Sequence, residues 1–464
     1  MGVAGLLKAL GDVQHEVHVS QYRGGCVGLD AHCFLHRGKY ACAQALLKGQ
    51  PTLAFLQPLL DVVAMLRANG VEPFAVFDGG PLPVKRETEQ ARQRNRETAQ
   101  WRAGALLRSG GGGSHEQAAK HLGSAVDVTP GMVSQSVKKL QELGVRCLVA
   151  PCEADAQLAH LALTGCVQAC ASEDVDLLAF GCQRVIFGLD ARGHGREIQL
   201  AEVGKSRGLA PYRVVPETLP DLCVLSGCDY LPAIPRIGLK TASQLLHRSR
   251  GDVQRALLLA RREGFAVPPD YGQCFLQARL AYVSQTVFGL AERRLQPLRP
   301  LPQDVELPPG CLGPNAATVP DEVARGVAEG RLHPRTFEPF DGSAGAEHDE
   351  LAVAARTAAG AVRQVAGAGQ ATAEPPRSQQ GHVGASQGPE ALQDFCLPRR
   401  LASQPELEPA GAGGASQSSE VLQEFRPPRR VASQLEYQAR PLSADDGAPP
   451  PAAGDAASAE EEAP

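Results

Sequence analysis

Short apolar runs alternate with helical patterns over roughly the first 340 residues. Three of the runs end close to a carboxylate: Cys26–Leu29 precedes Asp30, Pro73–Phe77 precedes Asp78, and Val145–Pro151 precedes Glu153. Between them, apolar residues recur at helical spacing, most clearly at Leu53, Leu56, Leu60, Val63 and Leu66, and later at Val133, Val137, Leu140 and Leu143. Strands that alternate with helices predict an α/β fold with a mostly parallel central sheet flanked by helices.

The composition of the chain changes near residue 342. Hydrophobic residues make up 43% of the 464 residues, but the apolar runs all lie before that point. Beyond it only Phe395, Phe425 and Tyr437 are aromatic. A segment so poor in large apolar groups cannot offset its conformational entropy by burial. We therefore expect a folded region over 1–342 and a disordered tail over 343–464.

Charge and cysteine content narrow the class of protein. The formal net charge of -5 does not by itself indicate a nucleic-acid partner. The 13 cysteines are scattered without a Cys-x-x-Cys pair, which argues against a disulfide framework and a structural zinc site. No run approaches the ~20 apolar residues of a membrane span. These features predict a soluble, intracellular protein without a membrane segment.

The stretch between Asp78 and Asp127 is polar and basic. Over 79–108 seven cations stand against three acids, a net charge of 7 − 3 = +4, and the Gly-rich run 109–114 follows. This pattern predicts a basic helix with a flexible hinge. On its own a solvated charged face is an equally good interpretation; beside a site that cuts phosphodiesters, a role in gripping the substrate becomes the better one. The cations are Lys85, Arg86, Arg92, Arg94, Arg96, Arg102 and Arg108.

Acidic residues form the sharpest chemical pattern. Glu153-Ala-Asp155 and Asp174-Val-Asp176 each place two carboxylates at i and i+2, which point the same way from an extended segment. Seven acids in one cleft repel unless cations neutralise them, and oxygen-only ligands favour Mg²⁺ or Mn²⁺ over zinc. Two such ions, about 3.5 to 4 Å apart, would suit phosphodiester hydrolysis. The set is Asp30, Asp78, Glu153, Asp155, Asp174, Asp176 and Asp229.

Each acid taken singly has a plainer explanation. A carboxylate after a strand is more often a helix cap or a solvated loop residue, and either short motif alone would favour that interpretation. Five clusters at predicted strand ends or helix starts reverse the balance. In a parallel α/β sheet ligands bind beyond the carboxyl ends of the strands, which is where these acids are expected.

Residues 218–247 predict two helices around a tight turn. Ile234-Pro-Arg-Ile-Gly238 forms the turn, and the second helix begins at Leu239. Gly238 just before a helix start, with Lys240 beside it, suits a helix N-terminus that receives a phosphate. Many helix pairs share this pattern, so alone it is a weak signal.

Together these motifs resemble the structure-specific five-prime nuclease superfamily, and within it the exonuclease 1 family most closely. The matching strings run through nearly the whole predicted folded region in family order. They are Met1-Gly2 with Gly5-Leu6-Leu7, Val76-Phe-Asp78-Gly79, Leu148 to Ala159, Glu173 to Gly181, and Leu225-Ser-Gly-Cys-Asp229-Tyr-Leu231. The resemblance implies a PIN-like five-prime nuclease fold, a helical arch over about 79–130, a helix-two-turn-helix at 218–247, and nuclease regions at 1–99 and 138–230.

The resemblance also implies roles for individual residues. One Mg²⁺ is expected on Asp30, Asp78, Glu153 and Asp155, and a second on Asp174, Asp176 and Asp229, with Mn²⁺ as the substitute. Lys85, Arg92 and Arg96 are expected to contact the scissile phosphate. DNA contacts are expected from Gly2, His36, Gly238 and Lys240, with a K⁺ site at the helix-two-turn-helix. The implied substrate is double-stranded DNA with five-prime ends, nicks, gaps or flaps, cut by a monomer in the nucleus.

One departure from the family pattern affects substrate handling. The family turn reads Arg-Gly-Ile-Gly, whereas this chain has Pro235-Arg236-Ile237-Gly238, so that an arginine replaces a glycine where close phosphate approach is expected. The Gly-rich insert at 110–113 is expected to loosen the arch. None of the seven acids is missing, so catalysis is expected to be intact.

The tail contains a two-copy repeat of period 30, over 384–404 and 414–434. Its polar composition predicts duplicated linear motifs rather than a packed unit. Ser-Gln pairs begin at 378, 386, 403, 416 and 433. They resemble targets of DNA-damage checkpoint kinases, although low-complexity drift explains them nearly as well. Checkpoint kinases and mismatch-repair proteins are therefore candidate partners of the tail.

Three functions fit these observations in decreasing order. The first is a Mg²⁺-dependent five-prime to three-prime double-stranded DNA exonuclease with flap endonuclease activity, acting in DNA repair. The second is a flap endonuclease of the same superfamily, although its usual clamp-binding box is not evident. The third is a catalytically weak DNA-binding scaffold, which the retention of all seven acids disfavours.

Overall fold

A seven-stranded mixed sheet forms the centre of the protein. The computed structural model describes residues 2–47, 50–109, 121–303, 305, 307–308 and 310–340. The sheet order is β1-β7-β6-β5-β2-β3-β4. All pairs among β2 to β6 are parallel, and β7 pairs antiparallel with β6 and β1. The predicted α/β fold with a mostly parallel sheet is confirmed. The strands are β1 (Gln14–His18), β2 (Cys26–Asp30), β3 (Glu72–Phe77), β4 (Arg146–Val149), β5 (Ala169–Ala171), β6 (Arg184–Phe187) and β7 (His194–Gln199).

Helices pack on both faces of this sheet, and a separate hairpin joins β8 (Thr286–Gly289) to β9 (Arg294–Pro297). The α-helices are α1 (Leu6–Ala9), α2 (Ala31–Leu47), α3 (Gln57–Ala68), α4 (Arg86–Ser109), α5 (Pro130–Glu142), α6 (Ala154–Leu163), α7 (Asp176–Phe180), α8 (Leu219–Ser226), α9 (Leu239–Ser249), α10 (Val253–Arg262), α11 (Tyr271–Ser284) and α12 (Asp321–Ala328).

Two hydrophobic clusters, one on each face, hold the helices to the sheet. Strand β3 contributes to both, because successive side chains of a strand point to opposite faces. Phe74 and Val76 belong to the cluster that includes α6, α7 and α8, whereas Ala75 and Phe77 belong to the cluster that includes α2, α3 and α5. All four side chains are fully buried. A strand buried on both faces explains why the apolar runs in the sequence are continuous rather than alternating.

The carboxyl ends of the parallel strands meet at one edge of the sheet. Asp30 is the last residue of β2, and Asp78 directly follows β3. Glu153 is the N-cap of α6, just after β4, and Asp174 lies in the short link between β5 and α7. The alternation of strand and helix therefore delivers four acidic segments to the same edge.

The predicted basic helix is present as α4. It begins at Arg86, after a 3₁₀ turn over Pro83–Lys85, and extends to Ser109. Ala99 and Ala103 are buried, while Arg94, Trp101 and Arg102 are exposed. The Gly-rich hinge predicted at 110–113 lies outside the described residues.

The predicted helix pair is present as α8 and α9, and the second helix begins at Leu239 as expected. The link between them is longer than the predicted turn alone and also carries Asp229. Within it, Ile237 N donates to Ile234 O at 2.8 Å, and Arg236 has φ +71°. Proline followed by a residue of positive φ is the pattern of a type II turn, in which glycine is favoured at the position that Arg236 holds.

No helix in the described part of the chain is long and apolar enough to cross a membrane. The tail predicted to be disordered, with its repeat and its Ser-Gln pairs, lies outside the described residues.

Candidate active site

The acidic residues predicted to bind metal gather at the carboxyl edge of the sheet and divide into two groups. The first group, Asp30, Asp155, Asp174 and Asp176, forms no ion pair with lysine or arginine among the residues that the structure describes. Burial, and then the charges of Asp174 and Asp30, raise the pKa of Asp155 well above its usual range. Burial and the charge of Asp176 raise the pKa of Asp174 to about 7. Negative charge in this group is uncompensated.

Burial also raises the pKa of the other two carboxyls in this group, Asp30 and Asp176. One carboxylate oxygen, Oδ1 of Asp155, is buried and has no hydrogen-bond partner in the part of the chain that the structure describes. A buried acceptor without a donor is rare in folded proteins and indicates a missing ligand or water. This oxygen is the clearest sign that the group accommodates a cation.

The second group is held by cations from the 3₁₀ turn Pro83–Lys85 and from α4. Lys85 Nζ lies 2.5 Å from Glu153 Oε1 and 2.9 Å from Asp229 Oδ2. Arg92 reaches the same Asp229 oxygen at 2.5 Å. Burial alone would lower the pKa of Lys85, but the charges of Glu153 and Asp229 outweigh it and raise that pKa well above its usual range. Lys85 is therefore fully charged at neutral pH, and Lys85 and Arg92 together compensate Glu153 and Asp229.

Asp78 is assigned to the second group because it contacts a basic side chain, His32. Its backbone N–H donates to His32 Nδ1 at 3.0 Å, and one of its carboxylate oxygens accepts from Ala154 N at 2.7 Å. Burial would raise the pKa of Asp78, but the charge of His32 and the Ala154 hydrogen bond lower it. The Asp78 carboxylate is thus oriented by the first residue of α6.

Hydrogen-bond donors also orient the uncompensated acids. Asp30 Oδ2 accepts from the Ser172 hydroxyl at 2.7 Å and from the Cys33 thiol at 2.8 Å. Asp176 accepts from Val3 N at its Oδ1 and from the Tyr282 hydroxyl at its Oδ2, each at 2.8 Å. These contacts fix the carboxylate planes without neutralising their charge.

Gly2 packs directly against this group. Its φ is +82°, and a Cβ built on it would lie 2.3 Å from Asp174 Oδ1 and 2.3 Å from Asp176 Oδ1. Real Cβ atoms do not approach oxygens so closely, and the positive φ independently favours glycine. The N-terminal segment therefore contacts the acids through backbone alone.

A cavity of about 600 Å³ opens beside the second group, between α4, the start of α2 and residues 330–340. Lys85, Arg92, Arg96 and His36 line it, as do Asp78 and Glu153. Arg96 is placed differently from Lys85 and Arg92, because it pairs with Asp127 at 3.1 Å rather than with any of the seven acids. Burial and the charge of Lys39 lower the pKa of His36 to about 4, so that His36 is neutral at pH 7.

Gly238 and Lys240 are not part of this cavity. Both are exposed, Gly238 as the N-cap of α9 and Lys240 in its first turn. Nearby, the Arg236 guanidinium donates to Gly264 O at 3.1 Å and lies 5.1 Å from the centre of the Phe265 ring. Arg236 is thus engaged within the protein, despite its exposed position.

The donor set fits a hard divalent cation: every candidate ligand is a carboxylate, one buried oxygen lacks a hydrogen-bond partner among the described residues, and burial raises four of the pKa values. In the described part of the chain, however, no three His, Cys, Asp or Glu side chains already stand in a geometry that holds a metal ion.

Sequence patterns missed several residues that contact the acids. Tyr230 and Gln285 both donate to Glu153 Oε2, the second of them at 2.8 Å. Tyr230 directly follows Asp229, so its position next to a predicted metal ligand could have identified it from the sequence. Tyr282 and Gln285 lie more than fifty residues beyond the last acid, and nothing in their surrounding sequence marks them.

Comparison with known proteins supports the resemblance seen in the motifs. Residues 1–99 match the model of the XPG N-terminal domain, and residues 144–229 match the XPG I-region. All seven acids lie within these two matches. In these two regions the chain is similar to the XPG family.

Its relatives include Exonuclease 1 of Xenopus laevis, 38% identical over 74% of this chain and 46% of that protein. Exonuclease 1 of Arabidopsis thaliana is 36% identical over 73% and 45%. Exodeoxyribonuclease 1 of Schizosaccharomyces pombe is 34% identical over 74% and 59%. The predicted resemblance to exonuclease 1 is confirmed. The chain spans about half the length of these relatives.

Two solved structures align over somewhat less of the chain. The catalytic core of Rad2 in complex with DNA substrate covers 61% of this chain and 84% of its own, with 17% identity and a TM-score of 0.43. Flap endonuclease-1 from Methanococcus jannaschii covers 58% of this chain and 83% of its own, with 25% identity and a TM-score of 0.39.

Proposed function

We propose that this chain is a Mg²⁺-dependent five-prime to three-prime exonuclease of double-stranded DNA with flap endonuclease activity, leaving five-prime phosphates. The observation that carries the proposal is the gathering of seven acids at one edge of the sheet, with Lys85 and Arg92 among them. An exonuclease 1 relationship over about three quarters of the chain supports the same reaction.

The seven acids divide into two proposed ligand sets. Two divalent cations bound there would supply an activated water and stabilise the leaving oxygen of a phosphodiester. Mn²⁺ is the expected substitute for Mg²⁺, because it also prefers oxygen ligands. One set is Asp30, Asp78, Glu153 and Asp155, and the other is Asp174, Asp176 and Asp229.

Lys85 and Arg92 are the proposed source of positive charge at the scissile phosphate. Both are already within 3 Å of carboxylate oxygens at the edge of the cavity. A phosphate entering there brings negative charge that grows in the transition state, and a preplaced cation in a partly buried site stabilises it. Arg96, on the flank beside Asp127, is proposed to contact the strand farther from the cut.

His36 is proposed to contact DNA as a neutral ring. A pKa of about 4 leaves it uncharged at pH 7. It lines the cavity together with His32, whose ring centre lies 6.2 Å away. A neutral imidazole can stack on a base or exchange hydrogen bonds but does not attract a phosphate by charge.

The helix pair α8 and α9 is proposed to grip the duplex backbone. The N-cap Gly238 leaves free N–H groups at the start of α9, next to the Lys240 side chain. Contacts of this kind position a duplex without reading its sequence. A K⁺ ion at the turn is part of the proposal.

Salt dependence distinguishes the two cations near this turn. Lys240→Ala is expected to reduce the slope of log K against log salt by about 0.9, the contribution of one phosphate contact. Arg236→Gly is expected to leave the slope unchanged, because Arg236 is bound to Gly264 and Phe265. Fluorescence anisotropy with a nicked duplex in Ca²⁺ measures both. Equal slopes for Lys240→Ala and wild type would contradict the assignment of Lys240.

A gel assay with the full chain tests the proposed activity. The substrate is a duplex with a recessed five-prime end, labelled at the three-prime end of that strand, in Mg²⁺ or in EDTA. We expect a ladder of shortening products that requires Mg²⁺ and disappears in Asp176→Ala. An uncut substrate that the protein nevertheless binds would reject the nuclease and favour a DNA-binding scaffold. Cutting confined to a flapped substrate would favour the flap endonuclease.

The cellular setting is proposed from the same relationship. A family whose members include exonuclease 1 implies action on DNA in repair, through mismatch repair, resection or recombination, and therefore a nuclear location. We further propose one nuclease unit over 1–342, acting as a monomer, and a regulatory tail over 343–464 that recruits checkpoint kinases and mismatch-repair proteins.

A further inference from the structure

Two buried side chains reach the acids from a part of the chain beyond the matched XPG regions. The Tyr282 hydroxyl, near the end of α11, lies 2.8 Å from Asp176 Oδ2. The Gln285 amide, just after that helix, lies 2.8 Å from Glu153 Oε2. Both residues are 0% exposed. One helix end therefore contacts an acid of each proposed ligand set.

The packing around Tyr282 leaves its hydroxyl little freedom. Its ring meets Phe180 edge-on at 5.1 Å and Tyr230 edge-on at 4.9 Å between ring centres. Edge-to-face aromatic contacts at this spacing are favourable and directional. Because Phe180 ends α7, the helix that begins at Asp176, the ring and the carboxylate are fixed to the same short element.

The contacts decide which lone pairs of the two acids stay available. Asp176 accepts one protein donor at each oxygen, from Val3 N and from Tyr282. Glu153 accepts two neutral donors, Tyr230 and Gln285, at Oε2, and its Oε1 faces Lys85. A carboxylate has about four lone-pair sites, so these donors leave acceptor capacity on both Asp176 and Glu153.

We propose that Tyr282 and Gln285 are positioning residues that orient Asp176 and Glu153 for divalent cations. The inference rests on the proposed function, because it assumes that these acids bind metal. Donors to a ligand from outside the ligand set hold it in the binding orientation, and their loss typically weakens metal affinity about 10- to 100-fold.

Tyr282→Phe is the sharpest test, because it removes one hydroxyl and keeps the ring contacts. The full chain is titrated with Mg²⁺ in the absence of DNA, and the rise of the melting temperature with Mg²⁺ concentration is fitted for the dissociation constant of the metal. This constant, the concentration at which half of the protein binds metal, is called the Mg²⁺ midpoint. The same titration is repeated for the cutting rate. We expect both midpoints to rise about tenfold, and the rate at saturating Mg²⁺ to return near the wild-type value.

A matched control lies on the same helix. Tyr271 begins α11 and is buried, and its hydroxyl has no hydrogen-bond partner among the residues with described positions. Tyr271→Phe therefore makes the same chemical change without removing a hydrogen bond to an acid, and it should leave the Mg²⁺ midpoint unchanged. Gln285→Leu removes the donor to Glu153 and is expected to raise the midpoint as Tyr282→Phe does. It keeps the inference testable if Tyr282→Phe does not fold.

The outcomes separate this inference from the proposed function. If Mg²⁺ stabilises the wild type and the midpoints of Tyr282→Phe and Gln285→Leu stay within about twofold of it, well below the expected shift, the positioning role is rejected and the nuclease stands. If Mg²⁺ neither stabilises the wild type nor supports cutting, the proposed metal site is rejected, and this inference with it.

Discussion

Asp155→Asn is expected to abolish cutting and at the same time to stabilise the metal-free protein. Asp155 lies among Asp174, Asp30 and Glu153, and the charges of these neighbours add to burial in raising its pKa. At about pH 8 the unfolded chain carries Asp155 ionised, so folding must either keep that charge in the crowd or take up a proton. Asparagine has the same shape and avoids both costs.

The two effects have different sizes and readouts. Each unit by which a pKa is raised corresponds to about 1.4 kcal/mol, so a gain of on the order of 1 kcal/mol or more is expected from urea unfolding in EDTA. Loss of a proposed metal ligand is expected to lower the cutting rate in Mg²⁺ at least about a hundredfold. A variant that cuts normally would remove Asp155 from the ligand set.

Asp12→Asn is the matched control. Hydrogen bonds from Arg207 N and from the Ser206 hydroxyl lower the pKa of Asp12, so its charge is favoured in the folded protein. Its replacement should not stabilise the protein in EDTA and should leave the cutting rate at the wild-type value. If both asparagine variants were stabilised alike, crowding of charge around Asp155 would not be the cause.

Gly2→Ala is expected to reduce the cutting rate about a hundredfold, because displacements of about 1 Å near reacting groups have effects of that size. The added methyl group would lie 2.3 Å from oxygens of Asp174 and Asp176, so backbone or carboxylates must move. The hydrogen bond from Val3 N to Asp176 would be disturbed as well. The rate is measured at saturating Mg²⁺ and DNA.

Gly5→Ala separates this close approach from backbone strain. Gly5 has φ +81°, nearly the same as Gly2, but nothing lies within 4 Å of its Cβ position. Both substitutions place alanine at positive φ, at a cost of about 1 kcal/mol in stability. Only Gly2→Ala should lose activity. Similar losses in the two variants would mean that strain in the N-terminal segment, not contact with the acids, explains the effect.

Much of the sheet and of the acidic edge could be predicted from the sequence, because both depend on local patterns. Continuous apolar runs marked β2, β3 and β4, and carboxylates followed each run directly. Parallel strands bring their carboxyl ends together in any α/β sheet, so Asp30, Asp78 and Glu153 could be assigned to one cleft without coordinates.

The pairing of charges within that cleft could not be predicted in the same way. Nothing in the sequence indicates that Lys85 faces Glu153 and Asp229 while Arg96 turns to Asp127, since these contacts depend on how α4 lies against the sheet. Tyr282 is harder still, because its contact with Asp176 spans 106 positions of sequence. A buried tyrosine in an apolar helix predicts core packing until its hydroxyl is located.

The left-handed backbone of Arg236 illustrates a partial prediction. The sequence showed an arginine where the family has glycine, and a loss of close phosphate approach was the natural expectation. The structure adds that the residue keeps the positive φ of the glycine, and that its side chain folds back onto Phe265. The conformation of the turn is thus preserved, and the backbone of Arg236 is strained as a result.

Because Lys85 contacts Glu153 and Asp229, the two groups of acids are expected to respond differently when a chelator removes divalent ions. Lys85 and Arg92 together pair with Glu153 and Asp229, so these two acids keep cationic partners when divalent ions are withdrawn. The other group has no lysine or arginine partner among the described residues, so its carboxylates must take up protons or move apart. Its members are Asp30, Asp155, Asp174 and Asp176. Yet Lys85 cannot neutralise Glu153, Asp229 and an incoming phosphate together. On the proposed function, Lys85 must therefore be released from Glu153 and Asp229 before it can contact the phosphate.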